Sequence, residues 1–183
     1  MEFIIREISK ESPEELASVA KGCMAAVLET IPEFEGNEEK AKESLPNFTF
    51  EQMRDMIYAD LHDPDKRIIV ATVENILAGQ ALYSVKTDPE GKFYGFCFSR
   101  YVLPEYRLNG IASKLLEDAL DWFEYKKAEY VIAQTHVANI PLQNLFQRFG
   151  FVISEPLSGP WEYFVLRKGL TQEERKISIF TSQ

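Results

Sequence analysis

The sequence has little cysteine and little histidine, with two residues of each type among 183. Cys23 and Cys97 lie in apolar stretches, and neither shows the Cys-x-x-Cys or Cys/His spacing of metal ligands. We therefore predict buried free thiols, no metal site and a reducing compartment. The chain also lacks the run of roughly 20 apolar residues that a membrane span requires, and a basic leader followed by an apolar stretch. These absences favour a cytoplasmic protein without a membrane partner.

Basic residues are outnumbered by acidic ones, 20 against 29, which gives a net charge of −9. A nucleic-acid partner requires a basic face that neutralises phosphates, so we expect no nucleic acid to bind. An acidic surface would attract a cationic amine, but it is also a common solubility feature. Charge alone therefore does not decide the function.

The composition, with 45% hydrophobic residues, suits one domain that buries roughly 70% of the surface of its unfolded chain. We assign residues 1–170 to this domain. Residues 171–183 are interpreted as a C-terminal tail that is either frayed or added as a strand to a partner subunit, which would make a homodimer.

Apolar periodicity predicts alternating strands and helices in an α/β fold. Strands are expected over residues 3–8, 67–73, 76–86, 93–103, 130–135 and 161–167, with another beginning at Phe151. Helices are expected after Ser12, over 50–61, over 112–123 and after Asn139. The succession of strand, helix and strand between residues 93 and 135 indicates a parallel crossover.

One junction is typical of a phosphate site. From Val102 the chain leaves a strand through Asn109-Gly110 and enters a helix at once, which leaves backbone N–H groups without carbonyl partners. Gly110 lets a ligand approach the backbone, small Ala112 keeps the first turn open, and Arg107 adds a positive charge. The alternative is an ordinary turn and helix cap that needs no ligand.

A second segment follows after one helix and one strand, and reads Asn139-Ile-Pro-Leu-Gln-Asn-Leu-Phe-Gln-Arg-Phe-Gly-Phe151. Together the two segments resemble the GNAT superfamily of N-acetyltransferases. In that superfamily the acetyl-coenzyme A (acetyl-CoA) loop reads Arg/Gln-x-x-Gly-x-Gly/Ala, and a later helix reads Asn-x-x-Ala-x-x-Leu-Tyr-x-x-x-Gly-Phe. The resemblance is strong over residues 93–151. It implies a mixed, mostly antiparallel central sheet of about seven strands with helices on both faces.

The resemblance also implies the cosubstrate, acetyl-CoA, and the reaction, direct attack of a primary amine on the thioester. The amine would belong to a small amine, an amino sugar or a protein N-terminus. The backbone of Val102 and Leu103 would pair with pantetheine. Asn139 would either contact the cosubstrate or cap its helix, and the two roles are compatible. The remaining cofactor-binding residues would be Arg107, Leu108, Asn109, Gly110, Ile111, Ala112, Ser113 and Phe146.

Proton transfer is where the sequence departs from the family. An aliphatic amine, with a pKa of roughly 10.4, must lose a proton before attack, and His136 at a strand end is our candidate base. The alternative is that His136 only packs or hydrogen-bonds there. Gln134 replaces a glutamate of some family members, and Phe146 replaces the tyrosine that protonates the departing thiolate. A noncatalytic acyl-CoA sensor or interaction module is therefore the rival interpretation.

Acceptor recognition is expected in the acidic segment after the first helix, where the family varies its acceptor-binding walls. Its candidates are Glu33, Glu35, Glu38 and Glu39, although for each glutamate alone we favour a solvated charge. Trp161 and Tyr163 would line the acceptor pocket or complete the core and a dimer contact, and we favour packing.

Overall fold

An eight-stranded sheet forms the centre of the protein. The computed structural model describes residues 1–159 and 161–180. The strands are β1 (Ile4–Glu7), β2 (Lys66–Val73), β3 (Ile76–Thr87), β4 (Phe93–Val102), β5 (Tyr130–His136), β6 (Val152–Ile153), β7 (Leu157–Ser158) and β8 (Glu162–Gly169). They follow the order β1-β2-β3-β4-β5-β8-β6, with β7 beside β8. The pairs are antiparallel apart from β4 and β5. The predicted mixed, mostly antiparallel sheet is confirmed, with eight strands instead of about seven.

Six helices and two short 3₁₀ turns surround the sheet in the described part of the chain. The helices are α1 (Pro13–Thr30), α2 (Glu38–Ser44), α3 (Phe50–Asp60), α4 (Ile111–Tyr125), α5 (Ile140–Arg148) and α6 (Gln172–Phe180), and the 3₁₀ turns are Pro32–Phe34 and Pro104–Tyr106. Among the described residues, no helix combines the length and the apolar character needed to cross a membrane.

Local signals in the sequence explain where several elements begin and end. Ser12 caps α1 by accepting the N–H of Glu15, with a proline at the first turn. Glu74 and Asn75 both have positive φ, as a two-residue hairpin turn requires. Gly150 ends α5 in the left-handed conformation, and it donates its N–H back to the last turn of the helix.

The two faces of the sheet are covered by different helices, as predicted. Alternation along β3 sends Ala81 and Tyr83 into the core formed with α4, whereas Leu82 joins the core formed with α1 and α3. In the first core α4 presents Ile111, Leu115, Leu116, Ala119 and Phe123. Both cysteines are buried free thiols, as predicted: Cys23 lies on the α1 face and Cys97 on the α4 face.

The parallel pair β4–β5 opens into a cleft. Pairing runs from Tyr94 opposite Tyr130 to Cys97 opposite Ala133 and then stops, although both strands continue. At this point the register of β4 against β3 shifts, which leaves Phe98 as an extra residue. Such a bulge bends a strand, so β4 turns away from β5. The cleft lies between the last residues of these two strands.

The segment after β8 differs from our expectation of a frayed tail or an added strand. Residues Gln172–Phe180 form α6, which Thr171 begins by accepting the N–H of Glu174. The Glu174 carboxylate is 1% exposed, and it accepts hydrogen bonds from Lys92 and Arg167. These contacts hold the helix against the sheet, while residues 181–183 of the predicted tail lie outside the described residues.

Candidate functional site

The N-terminus of α4 lies at the end of β4 and is not capped by a side chain. Gly110 precedes the helix with φ +87°, and its carbonyl accepts the first helical hydrogen bond from Lys114. Within residues 1–159 and 161–180, no group accepts a hydrogen bond from the N–H of Ile111, Ala112 or Ser113. Several free amides at the positive end of a helix are suited to an anion.

The loop before α4 leaves space for such an anion. A Cβ at Gly110 would meet nothing within 4 Å. Leu108 has φ +64° and a fully exposed side chain, so it projects away from the core. The Asn109 side chain donates to the carbonyls of Tyr106 and Arg107, at 3.3 and 3.0 Å, and thereby supports the turn.

Arg107 is engaged by neighbouring groups instead of projecting freely. Its Nη2 donates to the Glu29 carboxylate of α1 at 2.6 Å, and its Nε donates to the Val102 carbonyl at 2.9 Å. The Tyr101 hydroxyl donates to the same carboxylate at 2.6 Å, and burial together with this carboxylate raises the pKa of Tyr101 to about 12. Sequence reasoning missed Glu29, because α1 and the loop are brought together only by the fold.

The predicted pantetheine strand is only partly free. Leu103 donates its N–H to the Ala78 carbonyl, and the Val102 carbonyl is taken by Arg107. On its β5 side, however, β4 has no partner strand among the described residues beyond Cys97. The free edge of this strand is therefore the segment that follows Cys97.

Asn139 and Phe146 lie on α5. The Asn139 side chain caps the helix by accepting the N–H of Leu142 at 3.3 Å. Phe146 is fully buried, with its ring edge-to-face against Phe151 at 4.6 Å. The guanidinium carbon of Arg100 lies 4.9 Å from the centroid of the Phe146 ring. Phe146 is thus a core residue, and Arg100, which sequence reasoning missed, covers it.

His136 ends β5 and is 7% exposed. Its Nδ1 accepts the N–H of Ala138 at 2.9 Å, so Nδ1 is unprotonated and the ring hydrogen belongs to Nε2. Nε2 lies 3.1 Å from Oε2 of Glu33, to which it donates. This geometry fixes one neutral tautomer and directs it at a carboxylate.

Glu33 lies on the 3₁₀ turn after α1. Hydrogen bonds from its own N–H and from His136 lower the pKa of its carboxyl group. The turn is held by Phe34, which is buried and packs edge-to-face on Trp161 at 5.6 Å. Packing is thus observed for Trp161, as favoured from the sequence. Tyr163 lies opposite His136 in the register of β5 and β8.

The other acidic candidates face lysines. Glu35 forms an ion pair with Lys40, whereas Glu38 and Glu39 both pair with Lys42. Of the four glutamates, Glu33 is the one that the described structure joins to the end of β5.

A parallel strand pair that opens beside an uncapped helix N-terminus defines an α/β protein with an arrangement suited to an anion. The profile described as the Acetyltransferase (GNAT) family matches residues 29–151, about two thirds of the sequence. The chain therefore belongs to the GNAT acetyltransferase family.

Several solved structures share this fold. PaiA N-acetyltransferase from Thermoplasma acidophilum, solved with coenzyme A, is 18% identical, with a TM-score of 0.71 over 92% of this chain and 99% of that chain. YncA from Salmonella typhimurium, solved with acetyl-CoA, is 16% identical, with a TM-score of 0.70 over 94% and 96%. A chain of the NatC complex bound to Gag peptide and CoA is 20% identical, with a TM-score of 0.66 over 93% and 100%. No curated protein matches the chain.

Proposed function

We propose that this protein transfers the acetyl group of acetyl-CoA to a primary amine by direct attack of the amine on the thioester. The observation that supports the proposal most is the cleft between β4 and β5. Free amides of α4 lie beside β4, and the Glu33–His136 pair lies at the end of β5. The cleft thus offers an anion site and a cation site to two substrates.

The coenzyme end of the cleft fits a pyrophosphate. The amides from Asn109 to Ser113 would bind its oxygens, and the empty space at the Cβ position of Gly110 would admit them. The open edge of β4 would pair with the pantetheine amides as a neighbouring strand does. Coenzyme A or acetyl-CoA is present in the PaiA and YncA structures, which supports the same cosubstrate here.

The end of the cleft at Glu33 and His136 fits an ammonium group. The Glu33 carboxylate would attract the protonated amine and orient it, and the proton lost before attack would pass through this carboxylate to solvent. The sequence makes His136 the candidate base, but its Nδ1 accepts the N–H of Ala138 and its Nε2–H donates to Glu33. We therefore propose that His136 acts through Glu33, as a positioning residue.

The rival is a noncatalytic acyl-CoA-binding module, which Phe146 favours because a phenyl ring cannot protonate a leaving thiolate. Calorimetric titration with acetyl-CoA, desulfo-CoA and ATP tests the site common to both. We expect both coenzymes to bind and ATP to bind far more weakly. Absence of coenzyme binding at millimolar concentration would contradict both functions.

A measurement of turnover distinguishes the acetyltransferase from the noncatalytic binding module. Release of free thiol from acetyl-CoA is measured across a library of primary amines that includes small amines, amino sugars and peptide N-termini. Amine-dependent thiol release supports the acetyltransferase. Tight coenzyme binding without thiol release for any amine would support the binding module instead.

A further inference from the structure

Arg100 lies on the part of β4 beyond its pairing with β5, and no carboxylate pairs with it among the described residues. It lies on β4 two residues after the bulge at Phe98, on the face covered by α4 and α5. Its Nε and Nη2 atoms are buried, and no group in the described residues accepts a hydrogen bond from either. Leaving charged donors unsatisfied in a buried place is costly, so a ligand that supplies acceptors or negative charge is expected there.

The surroundings of Arg100 contain no compensating carboxylate. None of the ion pairs found among residues 1–159 and 161–180 includes it. Its titratable neighbours are Tyr83 of β3 and Cys97 of β4. Burial raises the pKa of both groups, and Arg100 opposes that rise through its positive charge and through side-chain hydrogen bonding to both groups. The Tyr83 hydroxyl donates to the Leu115 carbonyl, and neither neighbour supplies a carboxylate to Arg100.

The position of Arg100 matters because of Phe146. The family resemblance aligns Phe146 with a tyrosine that gives a proton to the departing sulfur, and in this chain that acid is missing. The guanidinium carbon of Arg100 lies 4.9 Å from the Phe146 ring centroid, on the ring that would otherwise carry the hydroxyl. A positive charge is therefore placed where the chain has lost a proton donor.

We propose that Arg100 stabilises the thiolate of coenzyme A as it leaves, in place of proton donation. The inference rests on the proposed acetyl transfer. The amine nitrogen bonds to the carbonyl carbon, and the carbon–sulfur bond breaks with both electrons kept by sulfur. The extra proton on nitrogen goes to solvent through Glu33. Arg100 gives up no proton, because a guanidinium stays charged, and the thiolate takes a proton from water after release.

The test measures the proton balance of coenzyme A binding, which does not depend on turnover. Calorimetric titrations at pH 7.5 in buffers of different ionisation enthalpy give the number of protons released per coenzyme bound. A free thiol with a pKa of roughly 8.5 is about one-tenth ionised at this pH, and a nearby cation lowers such a pKa by about 1–3 units. We expect the wild type to release about 0.4 to 0.9 proton, and desulfo-CoA, which has no thiol, to release none.

Variants test whether the proton release on coenzyme binding depends on the charge of Arg100. Arg100→Gln should abolish the proton release and slow turnover about 10- to 100-fold, whereas Arg100→Lys should keep most of the release. Arg54→Gln, an exposed change of equal charge on α3, should leave both quantities unchanged. Adding Phe146→Tyr to Arg100→Gln should restore part of the turnover without restoring the proton release.

The outcomes separate this inference from the function on which it rests. If coenzyme A does not bind the wild type, the proposed function fails. If it binds without releasing protons, or if Arg100→Gln releases as many as the wild type, Arg100 does not act on the thiolate and the inference is overturned. The wild-type measurement is decisive even if Arg100→Gln does not fold. Equal loss of affinity for coenzyme A and desulfo-CoA in Arg100→Gln, with unchanged release, would instead indicate a contact to pantetheine.

Discussion

His136 and Glu33 are joined across 103 residues of sequence, with Nε2 of the imidazole 3.1 Å from Oε2 of the carboxylate. The contact joins the acidic segment after α1 to the end of β5. Because Ala138 occupies Nδ1, the imidazole presents a single N–H to Glu33 and has no free lone pair. The pair therefore offers the cleft a carboxylate of fixed orientation.

Replacing His136 by glutamine distinguishes a base from a positioning residue. A glutamine amide can still donate to Glu33 but cannot take a proton, whereas alanine can do neither. If His136 positions Glu33, His136→Ala should lower kcat/KM for the amine about 100-fold and His136→Gln less than 10-fold. Steady-state kinetics with a saturating coenzyme measures both.

The pH profile provides an independent check on this pair. The lowered pKa of Glu33 keeps it ionised throughout the neutral range, so activity should show no inflection near about 6.5, the range of a free histidine. Glu33→Gln should lower kcat/KM about 100-fold, and Glu35→Gln, two residues further on and paired with Lys40, should leave it unchanged. Equal losses in the alanine and glutamine variants of His136, with an inflection in the wild type, would restore His136 as the base.

Gly110 is predicted to contribute to ligand binding more than to the stability of the fold. Gly110→Ala would place a Cβ in open space at φ +87°, so the protein should fold with a loss of about 1–2 kcal/mol from the left-handed backbone. The same Cβ would occupy the region where we place the pyrophosphate. Coenzyme A affinity should fall at least 10-fold, measured by calorimetry.

Gly91 is the matched control for this change. It has φ +83° and also has nothing within 4 Å of a Cβ, but it lies in the turn before β4. Gly91→Ala should cost similar stability in thermal unfolding and leave coenzyme affinity intact. Equal affinities for the two variants would mean that the loop before α4 is only a capped turn.

Much of the fold could be predicted because its signals are local. The Ser12 cap, the Glu74-Asn75 turn and the Gly150 helix end each depend on residues within a few positions. The turn from β4 into α4 at Gly110 could be predicted for the same reason. In each case one short stretch contains both the residue and the conformation that requires it.

Side-chain contacts between distant elements could not be predicted. The Glu29–Arg107 ion pair joins α1 to the loop, and Arg100 covers Phe146 only because the bulge at Phe98 sets the path of β4. The helix after β8 was missed since its anchor, Glu174, finds Lys92 and Arg167 only in the folded chain. Neither hydrophobic periodicity nor a helix-capping residue in the sequence reveals contacts between side chains that are far apart along the chain.

Glu174 is expected to stabilise the fold in a pH-dependent way. Burial alone would raise the pKa of its carboxyl group, but hydrogen bonds from Lys92 and Arg167 outweigh burial and lower it. A lowered pKa in the folded state means that the stabilisation is complete above the unfolded pKa, about 4.3, and is lost as the pH falls through the folded value. Glu174→Gln should therefore lower the free energy of unfolding by about 2 kcal/mol at pH 7 and by progressively less in acid.

Glu173→Gln, on the exposed side of the same turn, is the control and should leave the free energy of unfolding nearly unchanged. Denaturant unfolding between pH 3 and 7 measures both variants. A loss for Glu174→Gln that stayed constant down to pH 3 would show that packing of α6, and not the ionised carboxylate, provides the stability.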